Sequence, residues 1–391
     1  MTSTTTGLRS RTWVLDAGID PLAALGPGGF AWFAEGFGLA TSGVAARVSV
    51  ADAAEVLADI AGDDDLAEPG TGPLAVGPLG WDGRGELVIP ARIAGRTAGG
   101  LSWVTEVGPA QDDAEGWPAT RLAPPGRQDR VAWTSAVEEA LARIGDGRLA
   151  KVVLAREVTV ELHGPLDVAT VLGKLRREQP SCFTYAAGAY VGASPELLAR
   201  RRGLDVLSRP MAGTVAQGGS PSDDRRMVAA MAASTKEQNE HRLVVDDVRA
   251  KLSRIAERSP EARGPEVVRL STVAHLATAV GCRLRDPATS ALEVAALLHP
   301  TPAVAGVPGP AAMAAIAELE GFERGLYAGP VGWVDARGDG DWAVALRSAT
   351  LDGTRARLVA GAGIVTGSDP DDEWDETEAK LAAMRSALTE D

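Results

Sequence analysis

The chain has 391 residues, 45% of them hydrophobic, and a formal net charge of −14, which predicts a globular protein with a sizeable core. This acidic balance argues against a nucleic-acid partner, because nucleic-acid binding needs a basic surface. The two cysteines are too few for a disulfide framework or a zinc site, and neither a membrane-spanning apolar run nor a signal-peptide core occurs. We therefore expect a cytoplasmic protein without a membrane partner.

Residues 1–127 are rich in Gly, Ala and Pro and predict short strands of an antiparallel sheet. The predicted strands are 12–15, 30–33, 87–93 and 101–107, and a predicted helix at 51–60 precedes an acidic loop at 61–72. The tryptophans interpreted as core or rim aromatics are Trp13, Trp32, Trp81 and Trp103. The best candidate for a boundary is residues 123–126 (APPG). This third of the chain shows no pattern of catalytic residues.

The next segment contains a predicted amphipathic helix at 137–144 and a β-branched strand at 151–160 (KVVLAREVTV). Lys151 opens this strand in a chain that has only five lysines against thirty-four arginines. An arginine would serve equally well for surface charge, but only lysine can lose its proton near neutral pH when it is buried. Lys151 is therefore a candidate general base, and the alternative is a surface lysine at the end of a strand.

Residues 183–193 alternate as a strand and lead into GASPELL (192–198), where Glu196 follows a proline between two apolar stretches. A glutamate held against apolar neighbours can have a raised pKa and act as an acid. The alternative for Glu196 is a turn carboxylate in water. A second glycine-containing turn, SRPMAGT (208–214), precedes a helix-rich region at 223–258.

Two pairs of glutamates share the spacing ExxE: Glu237 with Glu240, and Glu373 with Glu376. Residues three apart lie on one face of a helix, so the two pairs can face one another across a cleft. At about 5.5 Å and an effective dielectric near 20, each like-charge pair costs roughly 3 kcal/mol unless it is neutralised. Oxygen ligands with room for water favour Mg²⁺ over Zn²⁺. Either pair taken alone is more typical of solvated helix surface.

The C-terminal third also contains residues that suit an anionic ligand. The segment Gly361-Ala362-Gly363 leaves backbone amides accessible to an anion, and Lys380 follows the second glutamate pair by one helical turn. Arg347 lies among apolar residues of a predicted strand at 342–351. A buried guanidinium needs a carboxylate partner, either from the protein or from a substrate.

Two histidines lie in apolar or proline-rich segments. His275 is part of STVAHLATAV, and His299 opens HPTPAVAGVP. Neither has a second His or Cys at metal-ligand spacing, so structural hydrogen-bonding roles are favoured over metal ligation.

These motifs occur in one order: KVVLAR, GASPELL, RPMAGT, STKEQNEH, HLAT, HPTPAVAG, RGLYAGPVGW, LRSA, AGAGIV and EWDETEAK. Together they resemble the chorismate-utilising enzymes, which include isochorismate, salicylate, anthranilate and aminodeoxychorismate synthases. The resemblance covers residue 129 to the C-terminus. It implies a single α/β (α+β) domain over 1–391, the chorismate-binding enzyme fold, with two packed antiparallel β-sheets flanked by helices. Residues 1–127 would complete the sheets, and residues 128–391 would form the catalytic core.

Within the family, three positions favour isochorismate synthase, an isomerase. Anthranilate synthases typically have glutamine in place of Lys151, and aminodeoxychorismate synthases have a nucleophilic lysine in place of Ala212. The segment HPTPAVAGVP, followed by Gly309, is similar to that of isochorismate synthases. The sequence AVG at 279–281 differs from the PFEG that is common in relatives. We expect this difference to affect the local shape of the pocket. The alternatives are a salicylate synthase, which also eliminates pyruvate, and a non-catalytic relative that binds chorismate.

The resemblance also implies roles for individual residues. Lys151 would be the general base for water attack at C2 of chorismate, and Glu196 the acid that protonates the departing C4 hydroxyl. The implied ligands of Mg²⁺ are Glu237, Glu240, Glu373 and Glu376. The implied substrate-binding residues are Gly213, Thr214, His275, Thr301, Ala303, Tyr327, Arg347, Gly361, Gly363 and Lys380. We expect a monomer without a glutaminase subunit.

Overall fold

The computed structural model describes residues 7–108, 117, 122, 129–217 and 220–389. In these residues the helices are α1 (Ala53–Asp59), α2 (Arg130–Gly145), α3 (Val168–Glu178), α4 (Pro221–Ala233), α5 (Thr235–Ser253), α6 (Ala291–Leu298), α7 (Gly309–Leu319) and α8 (Pro370–Leu388), with a short 3₁₀ helix at Pro21–Ala24. The first strands are β1 (Arg9–Val14), β2 (Phe30–Ala34), β3 (Phe37–Ser49), β4 (Ala61–Asp64), β5 (Leu74–Pro78), β6 (Glu86–Arg96), β7 (Ser102–Gly108), β8 (Lys151–Glu161), β9 (Phe183–Ala187) and β10 (Tyr190–Ser194). The remaining strands are β11 (Leu197–Arg202), β12 (Asp205–Arg209), β13 (Met211–Ala216), β14 (Glu261–Arg269), β15 (Val273–Arg283), β16 (Gly306–Val307), β17 (Pro330–Asp335), β18 (Gly340–Val344), β19 (Ser348–Asp352) and β20 (Arg355–Ile364).

The strands form two antiparallel layers. The first layer has the order β3–β2–β9–β10–β19–β20–β8–β16. The second runs β5–β17–β18–β11–β12, and β15 then pairs with β12 and with β13 and β14. Strand β6 pairs with both β3 and β5, so the two layers are continuous at this strand. The strands β7 and β1 extend from β6, and β1 pairs in parallel with β4.

Side chains from the two layers share one hydrophobic core. It contains Trp32 of β2 and Phe183 of β9 from the first layer, and Trp333 of β17 from the second. Phe37, at the start of β3, stacks on Trp333 with ring centroids 5.5 Å apart. Aromatic side chains bury roughly 150–250 Å² each and dominate the energetics of such a core. The predicted pair of packed antiparallel sheets is therefore confirmed.

The helices cover the outer faces of these layers. Helices α3 and α8 pack on the first layer, and α2 and α7 cover β8 and β20. Helices α5 and α6 pack on the second layer. In α5 the buried residues His241, Val244, Val248 and Leu252 recur every three or four positions, which places them on one face. None of the described helices has the length and apolar character needed to cross a membrane.

The N-terminal predictions agree with the strands and with α1, and one of them is wrong in part. The acidic segment 61–72 begins with β4, since backbone pairing with β1 needs no apolar side chain. Trp32 and Trp103 are fully buried, whereas Trp13 and Trp81 are half-buried, as expected of core and rim aromatics. The boundary candidate at 123–126 lies outside the described residues.

The strand predicted at 183–193 is a hairpin rather than one strand. Strands β9 and β10 pair with each other, and the chain reverses at Gly188, whose φ of 56° lies in the left-handed region. After this reversal, β10 ends at Ser194, within the GASPELL motif (192–198). Residues 137–144 lie within α2, and 223–258 contain most of α4 and all of α5.

Candidate active site

One cavity collects residues from β8, β13, β20 and α8 and from the β10–β11 and β18–β19 connections. The sequence-predicted residues that line it are Glu196, Gly213, Thr214, Glu240, His275, Ala303, Tyr327, Arg347, Gly361, Gly363, Glu376 and Lys380. Val153, Met211 and Leu346 supply apolar walls. The cavity therefore combines carboxylates, cations and apolar surface, as expected for a small anionic ligand.

Lys151 begins β8 between the pairing strands β20 and β16. Its side chain is only 1% exposed, and its Nζ lies 2.9 Å from Oε1 of Glu240, which lines the cavity. The alternative of a surface lysine is therefore wrong. A buried ammonium beside a single carboxylate is held in place by that pair.

Glu196 lies in the turn between β10 and β11 and is buried. Burial raises the pKa of Glu196 to about 7, although the positive charges of Lys151, Arg347 and Lys380 oppose the shift. The carboxyl can therefore hold a proton near neutral pH. The alternative of a turn carboxylate in water is wrong.

Arg347 and His275 form a buried polar pair. A guanidinium NH2 of Arg347 donates to Nε2 of His275 at 2.7 Å, so Nδ1 carries the histidine proton and donates to the Gly213 carbonyl at 3.2 Å. Burial and the charges of Arg347 and Lys380 hold the pKa of His275 well below its ordinary value. In the described part of the chain, no carboxylate forms an ion pair with Arg347.

The strand predicted at 342–351 is interrupted at Arg347. Strand β18 ends at Val344 and β19 begins at Ser348, and Arg347 has a φ of 47°, in the left-handed region. This conformation is energetically unfavourable for a residue other than glycine, so the conformation persists only where surrounding contacts stabilise it. The interruption places both Leu346 and Arg347 at the cavity.

The four glutamates lie at the N-terminal ends of two helices. Ser234 caps α5, where Glu237 accepts the backbone amide of Thr214 at 3.0 Å. Asp369 caps α8, and Glu373 in the first turn of this helix lies 3.3 Å from Lys236 of α5. The ammonium of Lys380 lies 2.6 Å from Glu376 and also donates to the Gly361 carbonyl at 2.8 Å.

Known proteins are similar to this chain in sequence and in fold. Residues 108–389 match the family described as chorismate binding enzyme. The chain belongs to the chorismate-binding enzymes. It is 44% identical to the MenF protein of Mycobacterium tuberculosis over 283 residues, which is 69% of this chain and 75% of that protein. The predicted family is thus confirmed.

Two further relatives cover more of the chain. The isochorismate synthase DhbC of Bacillus subtilis is 36% identical over 330 residues, which is 81% of each chain. The solved structure of MenF, the menaquinone-specific isochorismate synthase of Escherichia coli, has a TM-score of 0.82 and 28% identity and covers 98% of this chain and 95% of that one. The fold of this chorismate-binding enzyme therefore includes its N-terminal strands.

The donor set of this chorismate-binding enzyme fits a hard divalent cation, because all four glutamates are oxygen donors. Burial and then repulsion by Glu376 raise the pKa of Glu373 to about 7. Burial and then Glu240, with a smaller contribution from Glu376, raise the pKa of Glu237. Within residues 7–108, 129–217 and 220–389, no three metal-binding side chains already converge on one point. The carboxylates of α5 and α8 therefore repel one another, and a bound cation would relieve this repulsion.

The two glycines of AGAGIV both lie within β20. The carbonyl of Gly361 accepts a hydrogen bond from the ammonium of Lys380. A Cβ at Gly363 would lie 2.4 Å from Oε1 of Glu240 and 3.1 Å from Cε of Lys151. A side chain at position 363 would therefore displace the Glu240 carboxylate from its present position against β20.

Thr301 is the predicted substrate-binding residue that the structure places away from the cavity lining. Its side chain is buried, and its carbonyl accepts the amides of Val304 and Ala305. Thr301 therefore shapes the turn that presents Ala303 to the cavity. His299 bonds the Trp81 carbonyl at 2.9 Å, in agreement with the structural role predicted for it.

Besides the apolar walls of the cavity, sequence reasoning missed Lys236 and His241, two polar residues beside the site. Lys236 directly precedes Glu237 and contacts Glu373 of α8. The chain has only five lysines, and this rarity could have marked Lys236 as a candidate site residue. His241 directly follows Glu240, and its Nε2 lies 2.7 Å from the Thr278 hydroxyl of β15. This contact ties α5 to the second layer beside the cavity.

Proposed function

We propose that this chorismate-binding enzyme is an isochorismate synthase, which interconverts chorismate and isochorismate. The observation that carries the proposal is a pair of buried groups. The carboxyl of Glu196 lines the cavity and has its pKa raised to about 7, and the ammonium of Lys151 contacts Glu240 of the same lining. Exchange of a hydroxyl between two ring carbons needs one base and one acid. Relatives named as isochorismate synthases support the same conclusion.

The proposed chemistry needs no covalent intermediate. Neutral Lys151 takes a proton from water as the water oxygen bonds to C2, and the ring double bond shifts as the C4–O bond breaks. Glu196 gives its proton to the departing C4 hydroxyl, which leaves as water. The Nζ of Lys151 lies 2.9 Å from Oε1 of Glu240, so Glu240 directly adjoins the proposed base.

Chorismate is a dicarboxylate, and the site offers cations for it. Arg347 is buried beside a neutral histidine rather than a carboxylate, so its charge is available for a substrate carboxylate. Lys380 lines the same cavity. We assign the enolpyruvyl carboxylate to these two residues.

Charge balance favours a divalent cation at the four glutamates. The site contains four glutamates that can carry negative charge, which are Glu237, Glu240, Glu373 and Glu376, and four basic side chains, which are Lys151, Lys236, Lys380 and Arg347. A substrate with two carboxylates leaves the filled site with excess negative charge. Mg²⁺ held by the glutamates would offset this excess and stabilise charge on the ring carboxylate.

The cavity also argues against other reactions of the family. Ala212 lines it at the position where aminodeoxychorismate synthases have a nucleophilic lysine, so no covalent adduct can form there. Lys151 occupies the position that is typically glutamine in anthranilate synthases. Of these two side chains, lysine can accept a proton from water and glutamine cannot.

The test is incubation of the full chain with chorismate and Mg²⁺, with and without EDTA, followed by chromatography of the products. Isochorismate that accumulates towards equilibrium, forms chorismate when supplied itself, and stops forming with EDTA is the expected result. Salicylate with pyruvate would instead establish a lyase. Absence of turnover would leave a chorismate-binding protein without catalysis, and turnover unaffected by EDTA would contradict the metal site.

A further inference from the structure

Three of the chain's five lysines lie in the acidic site, and each contacts a different glutamate. The contacts are Lys151 to Glu240 at 2.9 Å, Lys380 to Glu376 at 2.6 Å and Lys236 to Glu373 at 3.3 Å. Three internal ammonium groups therefore occupy the carboxylates that the proposed metal site would use.

The three lysines differ in how firmly the fold holds them. The Lys151 side chain is 1% exposed, and that of Lys380 is 14% exposed and also donates to a backbone carbonyl. The Lys236 side chain is 37% exposed. Because a lysine stem is flexible and its ammonium is strongly hydrated, Lys236 can exchange Glu373 for water, whereas the other two stay in the protein.

The position of Lys236 in its helix also needs an explanation. It is the second residue of α5, directly after Thr235, and the helix is already capped by Ser234. A cation near a helix N-terminus is unfavourable, because the exposed backbone amides there carry partial positive charge. Helix stability therefore does not account for this lysine, whereas the carboxylate of Glu373 across the cleft does.

We propose that Lys236 is an internal counter-cation of the acidic site, which a divalent cation must displace from Glu373. The proposal rests on the metal site of the proposed function. Mg²⁺ binds carboxylate oxygen at about 2.0–2.1 Å, and an ammonium on the same carboxylate would be repelled by it. Lys236 thus links α5 to α8 when no metal is bound and is released to solvent when the metal binds.

A measurable consequence is that Lys236 weakens metal binding. When a site is competent for only part of the time, its apparent dissociation constant rises in inverse proportion to the competent fraction. Removal of the competing ammonium should therefore tighten Mg²⁺ binding. A lysine that only braced the two helices would have the opposite effect, because its loss would disorder the ligands.

The experiment is calorimetric titration of the metal-stripped full chain with MgCl₂ in the absence of chorismate. We compare the natural chain with Lys236→Met, which keeps the apolar stem, and with Lys236→Arg, which keeps the charge. Arg242→Gln is the matched control, since it removes one positive charge from an exposed position of the same helix. Thermal unfolding of each variant reports whether the fold is retained.

We expect Lys236→Met to lower the Mg²⁺ dissociation constant about three- to tenfold, while Lys236→Arg and Arg242→Gln stay within about twofold of the natural chain. Unchanged or weaker binding by a folded Lys236→Met variant would overturn the exchange and leave the metal site intact. Equal tightening by Arg242→Gln would also overturn it, because the effect would then be net charge alone. Absence of Mg²⁺ binding by the natural chain, with turnover that is independent of EDTA, would overturn both the exchange and the metal site.

Discussion

The guanidinium of Arg347 donates to Nε2 of His275 at 2.7 Å inside the protein, and both side chains line the same cavity. Burial lowers the pKa of Arg347, but an arginine so far above neutral pH keeps its charge. The histidine is neutral, because burial and this neighbouring charge lower its pKa. The pair therefore presents the positive charge of Arg347 to the cavity.

Replacement of this charge should weaken substrate binding more than the chemical step. Arg347→Gln loses a charge-assisted hydrogen bond to a substrate carboxylate, so we expect KM for chorismate to rise about 10- to 100-fold with a smaller fall in kcat. The measurement is steady-state kinetics, with Arg249→Gln, an exposed position of α5, as the control. An unchanged KM in a folded Arg347→Gln variant would show that the carboxylate binds elsewhere.

The carboxyl of Glu196 should limit activity at high pH. Its pKa of about 7 means that the protonated, acid-competent form disappears as the pH rises above neutrality. We expect kcat/KM to fall on this alkaline limb, and Glu196→Gln to lose about 10²- to 10⁴-fold in kcat, because an amide cannot supply the proton. A pH–rate profile of the natural chain and single-pH kinetics of the variant test this. Activity that stays constant from pH 6 to pH 9 would contradict the assignment.

The same carboxyl should also make stability depend on pH. The pKa rises from 4.5 to about 7 on folding, so its contribution to the free energy of unfolding is complete below pH 4.5 and is lost as the pH rises to 7. Glutamine stays neutral, so Glu196→Gln should exceed the natural chain in stability above pH 7 by on the order of 1–3 kcal/mol. Denaturant unfolding at pH 5 and pH 8 measures this; a difference between variant and natural chain that is equal at both pH values would refute it.

Much of the fold and of the site could be predicted from sequence because the signals are local. Aromatic residues identified β2 and β-branched residues identified β8, and the ExxE spacing placed each glutamate pair on one helix face. The same patterns gave no information about partners across the cleft. That Lys236 of α5 would reach Glu373 of α8 depends on how two distant helices pack, which no local periodicity encodes.

Two local conformations escaped prediction for a related reason. The reversal at Gly188 and the interruption at Arg347 are both single left-handed residues inside segments that were predicted as continuous strands. Glycine adopts that conformation easily, but at Arg347 only tertiary contacts can hold it. Hydrophobic patterning therefore located the strands but did not predict the break between β18 and β19 that places Arg347 at the cavity.

Gly363 tests the packing of the Lys151–Glu240 pair. In Gly363→Ala the new methyl group would lie 2.4 Å from the Glu240 carboxylate, so the pair must move away from β20. We expect kcat to fall about 100-fold with the fold retained, since a displacement of about 1 Å at a reacting group has effects of that size. Gly145→Ala is the control, because a Cβ there meets no atom within 4 Å. Kinetics and thermal unfolding of both variants separate a local effect from global destabilisation, and normal kcat in Gly363→Ala would show that the pair does not need this position.

Removal of Lys151 separates catalysis from metal binding. Lys151→Ala lacks the proposed base, so we expect a fall in kcat of about 10²- to 10⁴-fold. Glu240 loses the ammonium that lies 2.9 Å from it, so Mg²⁺ binding should be retained or tightened, and chorismate binding should persist. Lys174→Ala is the control, because Lys174 lies on α3 and donates to the Thr389 carbonyl, away from the cavity. Product chromatography and metal titration of both variants test this, and near-normal turnover by Lys151→Ala would mean that another group activates the water.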